Sequence, residues 1–239
     1  MLFPSQKELL YEKWIDSLTL AEKVLWSVSS AAIVLSSAFF GGQGWLTLVT
    51  SLIGATSLLL SARGHYLGQA LMILFSLLYG VISFGFSYYG EMLTYLGMTM
   101  PMAFLSLWSW LRHPHPGQQT QVQVGRLLQW ELFFLPLATA AVTCLFYFLL
   151  AHFHTANLLP STLSVATSFL AVYLTFRRSP WYAVGYAVND VILVLLWLLA
   201  AREDRRCFSM VICFLAFFAG DLYGFISWRR MARRQAASQ

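Results

Sequence analysis

The chain alternates long apolar runs with short polar breaks. Eight runs stand out, at residues 23–40, 44–62, 66–86, 92–111, 127–151, 161–176, 181–200 and 207–228. Within each run apolar side chains fill nearly every position. They do not keep to one helical stripe, as on a surface helix, or to alternate positions, as on a strand of an outer-membrane barrel. About 20 apolar residues cross the hydrocarbon of a bilayer as a helix, and lipid offers backbone N–H and C=O groups no partner outside the helix itself. The pattern therefore predicts an all-α integral membrane protein of about eight transmembrane helices, with 161–176 the shortest.

Composition narrows the function classes. Of the 239 residues 59% are hydrophobic and only 10% charged, where soluble domains carry about 25% charged residues. A soluble enzyme, a nucleic-acid-binding module and a disulfide scaffold are poor readings of such a chain. Cys144, Cys207 and Cys213 show neither zinc spacing nor a disulfide framework, and they read as small lipid-buried hydrophobes. The N-terminal stretch is polar and mixed in charge with no early apolar core, so no removable signal peptide is expected.

The net charge of +5 could suggest a nucleic-acid partner, but its distribution fits topology better. With the N-terminus inside, twelve of the fifteen Lys and Arg residues fall on the cytoplasmic side: Lys7, Lys13, Lys23, Arg63, Arg112, Arg126, Arg177, Arg178, Arg229, Arg230, Arg233 and Arg234. Only Arg202, Arg205 and Arg206 fall outside. By the positive-inside rule both termini are cytoplasmic, and the basic tail is placed to touch anionic lipid.

Two stretches resemble each other in order. Residues 51–112 and 164–230 each hold a span ending in Arg, a tight loop, a Tyr-bearing span, and a third span ending in aromatic-Ser-Trp and then Arg. Ser109-Trp110 corresponds to Ser227-Trp228, and Arg63 to Arg177. The first span of each unit runs from outside to inside, so the units are parallel, with 127–151 as the linker helix that restores the starting side. The expected layout is an N-terminal segment and extra helix (1–43), a first three-helix repeat (44–112), a cytoplasmic loop and linker helix (113–160), a second repeat (161–230) and a basic tail (231–239). Parallel repeats are a known transporter design, with the substrate site between them near the midplane.

Few residues inside the spans carry chemistry. Glu91 and Glu131 are expected near span ends, within reach of water. Asp190 and Asp221 lie well inside, where a charge costs at least about 2.5–3.5 kcal/mol. Each is either a substrate or proton site, or a group hydrated from an interface or bonded structurally. Trp181, Gly185 and Asn189 are spaced by four, and Tyr182, Tyr186 and Asn189 by four and three, so they share one broad helical face. That face offers flat rings and one amide, suited to a planar, uncharged or weakly cationic ring; an aromatic helix interface with one interhelical amide bond would look the same. In the first unit Gln69, Ser76, Tyr79, Ser83, Thr94, Tyr95 and Thr99 are polar, with Gln69 and Tyr95 the best ligand candidates. No nucleotide loop, nucleophile elbow or H-E-x-x-H is present, and the pairs His113/His115 and His152/His154 lack further ligands at metal spacing. No enzyme activity, cofactor, metal or nucleic-acid partner is expected.

The segments YYGEM (88–92), PMAFLSLWSWLR (101–112), WYAVGYAVNDV (181–191) and DLYGFISWRR (221–230) resemble the PnuC family of bacterial vitamin-precursor transporters over about residues 44–230. Pro101, Met102 and Trp110 match one family motif, and Tyr223, Gly224 and Trp228 another; Ala103 stands where many members have Gln, and Gly185 where some have a second Trp. The resemblance implies a SWEET-like 3+1+3 fold, a homotrimer, and facilitated diffusion of nicotinamide riboside, trapped by a cytosolic nucleoside kinase. It places the aromatic residues and an Asn of span 181–200 on the substrate: Asn189, with Trp181, Tyr182 and Tyr186 near the family's aromatic positions. Gln69, Thr94 and Asp221 are the weaker candidates for ribose hydroxyls. Related branches carry thiamine, riboflavin or deoxynucleosides, and for a cationic thiazolium Asp190 or Asp221 would be the counter-charge. The expected location is the bacterial inner membrane.

Overall fold

A computed structural model describes residues 18–40, 44–85, 88–116, 118–155 and 157–237. The expected amphipathic segment before residue 18, with Lys7 and Lys13, lies outside the described residues. Every apolar run forms a helix: α1 (Leu20–Phe39), α2 (Trp45–Ala62), α3 (Leu67–Gly85), α4 (Tyr89–Thr94) continued by a π-helical turn (Tyr95–Thr99) into α5 (Met100–Arg112), α6 (Gln129–His152), α7 (Leu158–Phe176), α8 (Tyr182–Ala201) and α9 (Phe208–Ala237). Seven helices are each long and apolar enough to cross a membrane, and the eighth crossing is the broken one, Tyr89–Arg112.

Two elements depart from the apolar pattern, each for a physical reason. The run expected as one span at 92–111 is interrupted by the π turn, where the Met100 N–H reaches back five residues to the Tyr95 carbonyl. Pro101 follows directly; it has no N–H to give to the carbonyl four residues back, so the turn ahead of it widens. The last helix runs past the expected end at 228 to Ala237. Met231 and Gln235 on those extra turns are buried, and both ends of the Gln235 amide bond the backbone of the α5–α6 loop: Oε1 accepts from Val124 N–H at 2.8 Å and Nε2 donates to the Val122 carbonyl at 3.1 Å.

Six helices close a ring in the order α2, α3, α5, α7, α8, α9 and back to α2, while α1 packs on α9 and α2, and α6 on α7. Small residues set the close approaches. A Cβ on Gly185 would lie 3.0 Å from Ala171 Cα, so α7 and α8 meet at backbone distance and no larger side chain fits there. A Cβ on Gly54 would strike the rings of Phe217 and Phe75.

The basic ends of α2 and α7 are built alike. Each helix stops in a left-handed residue, Gly64 (φ 69°) and Arg178 (φ 58°). After α2, Gly64 N–H donates to the Ser61 carbonyl and His65 N–H to that of Leu60; after α7, Arg178 N–H donates to Thr175 and Ser179 N–H to Leu174. These are Schellman caps, which satisfy the last carbonyls of a helix. Across the ring, Trp228 Nε1 donates to the Ser61 carbonyl at 2.8 Å, and Trp110 Nε1 to the Thr175 carbonyl at 3.0 Å. The two indoles meet with ring centroids 5.4 Å apart. Arg63 pairs with Glu22 of α1, and Arg177 with Glu131 of α6. A short ribbon (β1, Pro114–His115; β2, Gln118–Val122) and the segment after it roof both caps, Val122 N–H at the end of β2 bonding the Gly64 carbonyl and Gly125 N–H that of Arg178.

Candidate functional site

A cavity lies at the centre of the ring, lined by residues of every ring helix except α5. Its polar side comes from α8 and α9: Tyr186, Asn189 and Asp190 on one, Asp221 on the other. Its aromatic side comes from Phe75 of α3, Tyr95 of the π turn and Phe217 of α9, with Thr99, Ser168, Gly54, Leu58 and Met72 completing the lining. About 20 Å³ of it admits the centre of a water molecule, room for about one water, where ligand pockets run to about 300–1,000 Å³. A ligand of nucleoside size therefore requires the aromatic wall to draw back.

Asn189 is held from behind. Ser164, Thr167 and Ser168 of α7 direct their hydroxyls at its Oδ1, at 3.1, 2.9 and 3.1 Å. An amide oxygen has two lone pairs, so this end of the side chain is saturated and the rotamer fixed. That leaves the Nδ2 group as the donor end of the side chain. The spacing that put Asn189 and Tyr186 on one face of the helix is the reason both reach the cavity.

The aromatic wall is a tight cluster. Phe75 meets Tyr95 and Phe217 edge to face, at 5.8 and 5.6 Å between centroids, and stacks on Tyr79 at 5.5 Å. Tyr79 accepts a hydrogen bond from Trp197 Nε1 at 3.0 Å. Phe75, Phe217 and Met72 had no mark in the sequence, since an apolar residue facing a cavity and one facing lipid look the same there. For Tyr95 and Thr99 a signal existed: Pro101 widens the turn that carries both.

Other candidate residues are placed elsewhere. Trp181 is half exposed at the basic end, its ring 5.4 Å from Phe225 and 5.9 Å from the Arg229 guanidinium. It borders an open groove of about 420 Å³ with Arg126 and Gln235. Tyr182 is buried between Tyr186 (6.1 Å) and Trp228 (5.1 Å), one step below the cavity. Gln69 donates to Ser61 Oγ at 3.2 Å, tying α3 to the end of α2. The Thr94 hydroxyl is spent on the Gly90 carbonyl at 2.8 Å. Tyr186, Tyr182, Trp228 and Trp110 thus form a continuous aromatic column from the cavity floor to the basic end.

Two carboxyls expected near water are buried instead. Glu91 is covered because Gly90 lets α4 close on Thr155 and Leu150. Glu131 is covered because its carboxylate is taken up by Leu128 N–H, the Tyr173 hydroxyl and the Arg177 guanidinium, at 2.7, 2.6 and 2.8 Å. Among the described residues no three His, Cys, Asp or Glu side chains gather as metal ligands.

Residues 44–230 match the family model described as nicotinamide mononucleotide transporter. The nicotinamide riboside transporter PnuC of Neisseria mucosa is 23% identical over 203 residues, covering 82% of this chain and 76% of that protein. The crystal structure of the vitamin B3 transporter PnuC superposes with a TM-score of 0.79 at 20% identity, covering 92% of this chain and 94% of the other. The fold is that of a multi-pass membrane transporter and the relatives are transporters, not enzymes. With the match spanning the whole helical ring and its central cavity, this chain belongs to the nicotinamide mononucleotide transporter family.

Proposed function

We propose that this protein carries nicotinamide riboside across a bacterial inner membrane by facilitated diffusion, with a cytosolic nucleoside kinase trapping the substrate as its phosphate. The observation that carries the reading is the central cavity: a fixed amide donor, Asn189, faces aromatic rings supplied from both halves of the ring of helices. A nicotinamide is a flat ring bearing a carboxamide. In this reading Tyr95, Phe75 and Tyr186 hold the ring, and Asn189 Nδ2 donates to the carboxamide oxygen. Asp221 and Thr99 stand near enough to the same space to meet ribose hydroxyls.

The two three-helix units, α2–α5 and α7–α9, act as parallel repeats that rock about this site. Their like-built basic ends and the closed ring support that reading. The distribution of Lys and Arg puts the Trp110–Trp228 end on the cytoplasmic side, with both termini, so the aromatic column below the cavity is the inner gate. Helix α6 presents Phe133, Leu137 and Phe148 outward, a face suited to lipid or to neighbouring subunits of a trimer.

Calorimetric titration of the detergent-purified protein tests the reading, with thiamine and riboflavin as comparators. Saturable binding of nicotinamide riboside alone is expected, abolished by Asn189→Leu in protein that keeps its elution profile. Binding of a comparator in its place reassigns the pocket, and absence of saturable binding with all three overturns the proposal. Unchanged affinity in Asn189→Leu removes that residue from the site.

A further inference from the structure

At the basic end of the ring, α9 runs past Trp228 to Ala237, and those extra turns build a groove. Its volume is about 420 Å³, within the range of ligand sites, about 300–1,000 Å³. Ala232, Gln235 and Ala236 of α9 form one wall, Arg126 and Leu132 another, and Trp181 closes the side at the start of α8. The walls are fixed. The Gln235 amide is bonded at both ends to the backbone of Val122 and Val124. Gly125 N–H donates to the Arg178 carbonyl, and Arg177 Nη2 to the Arg126 carbonyl at 3.4 Å. The loop is thus pinned by its backbone, and the Arg126 side chain is left exposed.

The groove is cationic on one side and apolar on the other. Arg126 lines it, and the Arg229 guanidinium lies over the Trp181 ring at 5.9 Å. Among the described residues the ion pairs are Arg63–Glu22, Arg177–Glu131 and Arg206–Asp204, so neither Arg126 nor Arg229 has a carboxylate partner there. No described Asp or Glu lines the groove. On the apolar side Leu132 and Trp181 are 59% and 50% exposed. Leu132 stands on α6, which packs on α7 and turns Phe133 outward, so this side opens toward lipid.

We propose that the groove is a site for the headgroup of one anionic phospholipid, its phosphate held between Arg126 and Arg229 and its chains running down Leu132 and Trp181. Guanidinium groups bind phosphate through charge-assisted hydrogen bonds, and tryptophan is enriched at the headgroup level of a membrane. A free phosphate would satisfy the two cations but leave Leu132 and the Trp181 ring wet; a phospholipid covers both. The attraction of a basic tail for an anionic membrane is diffuse. The groove turns it into one site of fixed stoichiometry. It shares no lining residue with the central cavity, so lipid and substrate binding are measured separately and the failure of one leaves the other standing.

Native mass spectrometry of the full chain in detergent counts the lipid. One phosphatidylglycerol per chain is expected to bind at least about tenfold more tightly than phosphatidylcholine with the same acyl chains. Arg126→Gln and Arg229→Gln are each expected to weaken phosphatidylglycerol about fivefold. Ala236→Trp, which fills the groove and keeps every charge, is expected to weaken it at least as far. Arg112→Gln is the control: it removes a guanidinium that lies over Trp108, away from the groove lining, and is expected to leave the affinity unchanged. Thermal midpoints with each lipid give the same ranking, since a ligand of the folded chain stabilises it, and serve where the complex does not survive into the gas phase. Equal affinity for the two lipids, an equal loss in Arg112→Gln, or unchanged binding in Ala236→Trp overturns the site. Glycerol phosphate that displaces the lipid and matches its stabilisation makes the groove a site for soluble phosphate and overturns the lipid.

Discussion

The ends of α2 and α7 share one design in different chemistry. Both finish in a Schellman cap, both have their second-last carbonyl taken by an indole from across the ring, both anchor an Arg to a Glu in the first turn of a neighbouring helix, and both lie under the α5–α6 loop. In the first cap the left-handed residue is glycine, which takes that conformation freely. In the second it is Arg178, for which the conformation costs about 1–2 kcal/mol. The ion pairs differ as well. Both carboxylates accept from the backbone N–H that opens their helix, Glu22 from Thr19 and Glu131 from Leu128, but Glu22 approaches Arg63 to only 3.8 Å, while Glu131 takes Arg177 Nη2 at 2.8 Å and the Tyr173 hydroxyl at 2.6 Å. The second end is thus the more tightly bonded and the more strained, the first looser and relaxed.

The largest effect expected from breaking this likeness is at the indoles. Trp228→Phe takes the indole donor from the Ser61 carbonyl, and Trp110→Phe from that of Thr175, leaving each carbonyl its cap N–H alone and a smaller ring in a fully buried site; the lost bond and the lost packing together are expected to cost about 1–3 kcal/mol. Each variant is expected to lower the thermal midpoint in detergent by several degrees. The double variant should cost less than the sum, because the rings touch at 5.4 Å and share partners. Strict additivity would mean that the two tryptophans act as separate anchors and not as one latch.

Much of this was legible in the sequence. The eight helices, the Ser-Trp correspondence and the two Arg residues are carried by hydropathy and by residues that must end a span. The cavity was legible only in part. Asn189 and Asp190 announce themselves because an amide and a carboxyl in lipid demand partners. Phe75 and Phe217 do not, since lipid and cavity accept the same side chain. Gln69 and Thr94 have the chemistry of ligands but spend it locally, on Ser61 and on Gly90, which spacing alone does not reveal. Gly185 is explained by the Ala171 backbone pressed against it.

The next effect is at the left-handed residues, and its sign should differ between the two ends. Gly64→Ala puts a Cβ at positive φ, 3.0 Å from Met231 Cε and 3.3 Å from Val122 Cγ1, and is expected to cost about 1–2 kcal/mol. Arg178→Gly relieves the same strain. It also removes a guanidinium whose charged form is disfavoured, first by burial and then by Arg177. A gain of up to about 1 kcal/mol is expected, reduced by the chain entropy of glycine. Chemical or thermal unfolding in detergent reads both, and equal destabilisation by the two substitutions would contradict the contrast between the caps.

The smallest effect separates the ends by pH. After each cap a side chain accepts from the backbone two residues on: His65 Nδ1 from Leu67 N–H at 3.2 Å, and Ser179 Oγ from Trp181 N–H at 3.5 Å. Only the first can be titrated. Burial, and then the Arg63 guanidinium, hold the His65 imidazole below its ordinary value, so the folded protein favours the neutral ring whose Nδ1 accepts. The stability this contributes is present above about pH 6.5, the unfolded value, and is lost as the pH falls through the lower folded value, because the unfolded chain binds the proton more readily. Partial access to water keeps the effect small. A decline of about 1–2 °C in thermal midpoint is expected on going from about pH 7.5 to about pH 5.5, and it should vanish in His65→Asn, whose Oδ1 can accept the same bond at either pH. A decline that persists in His65→Asn would place the titrating group elsewhere and leave the two caps indistinguishable by pH.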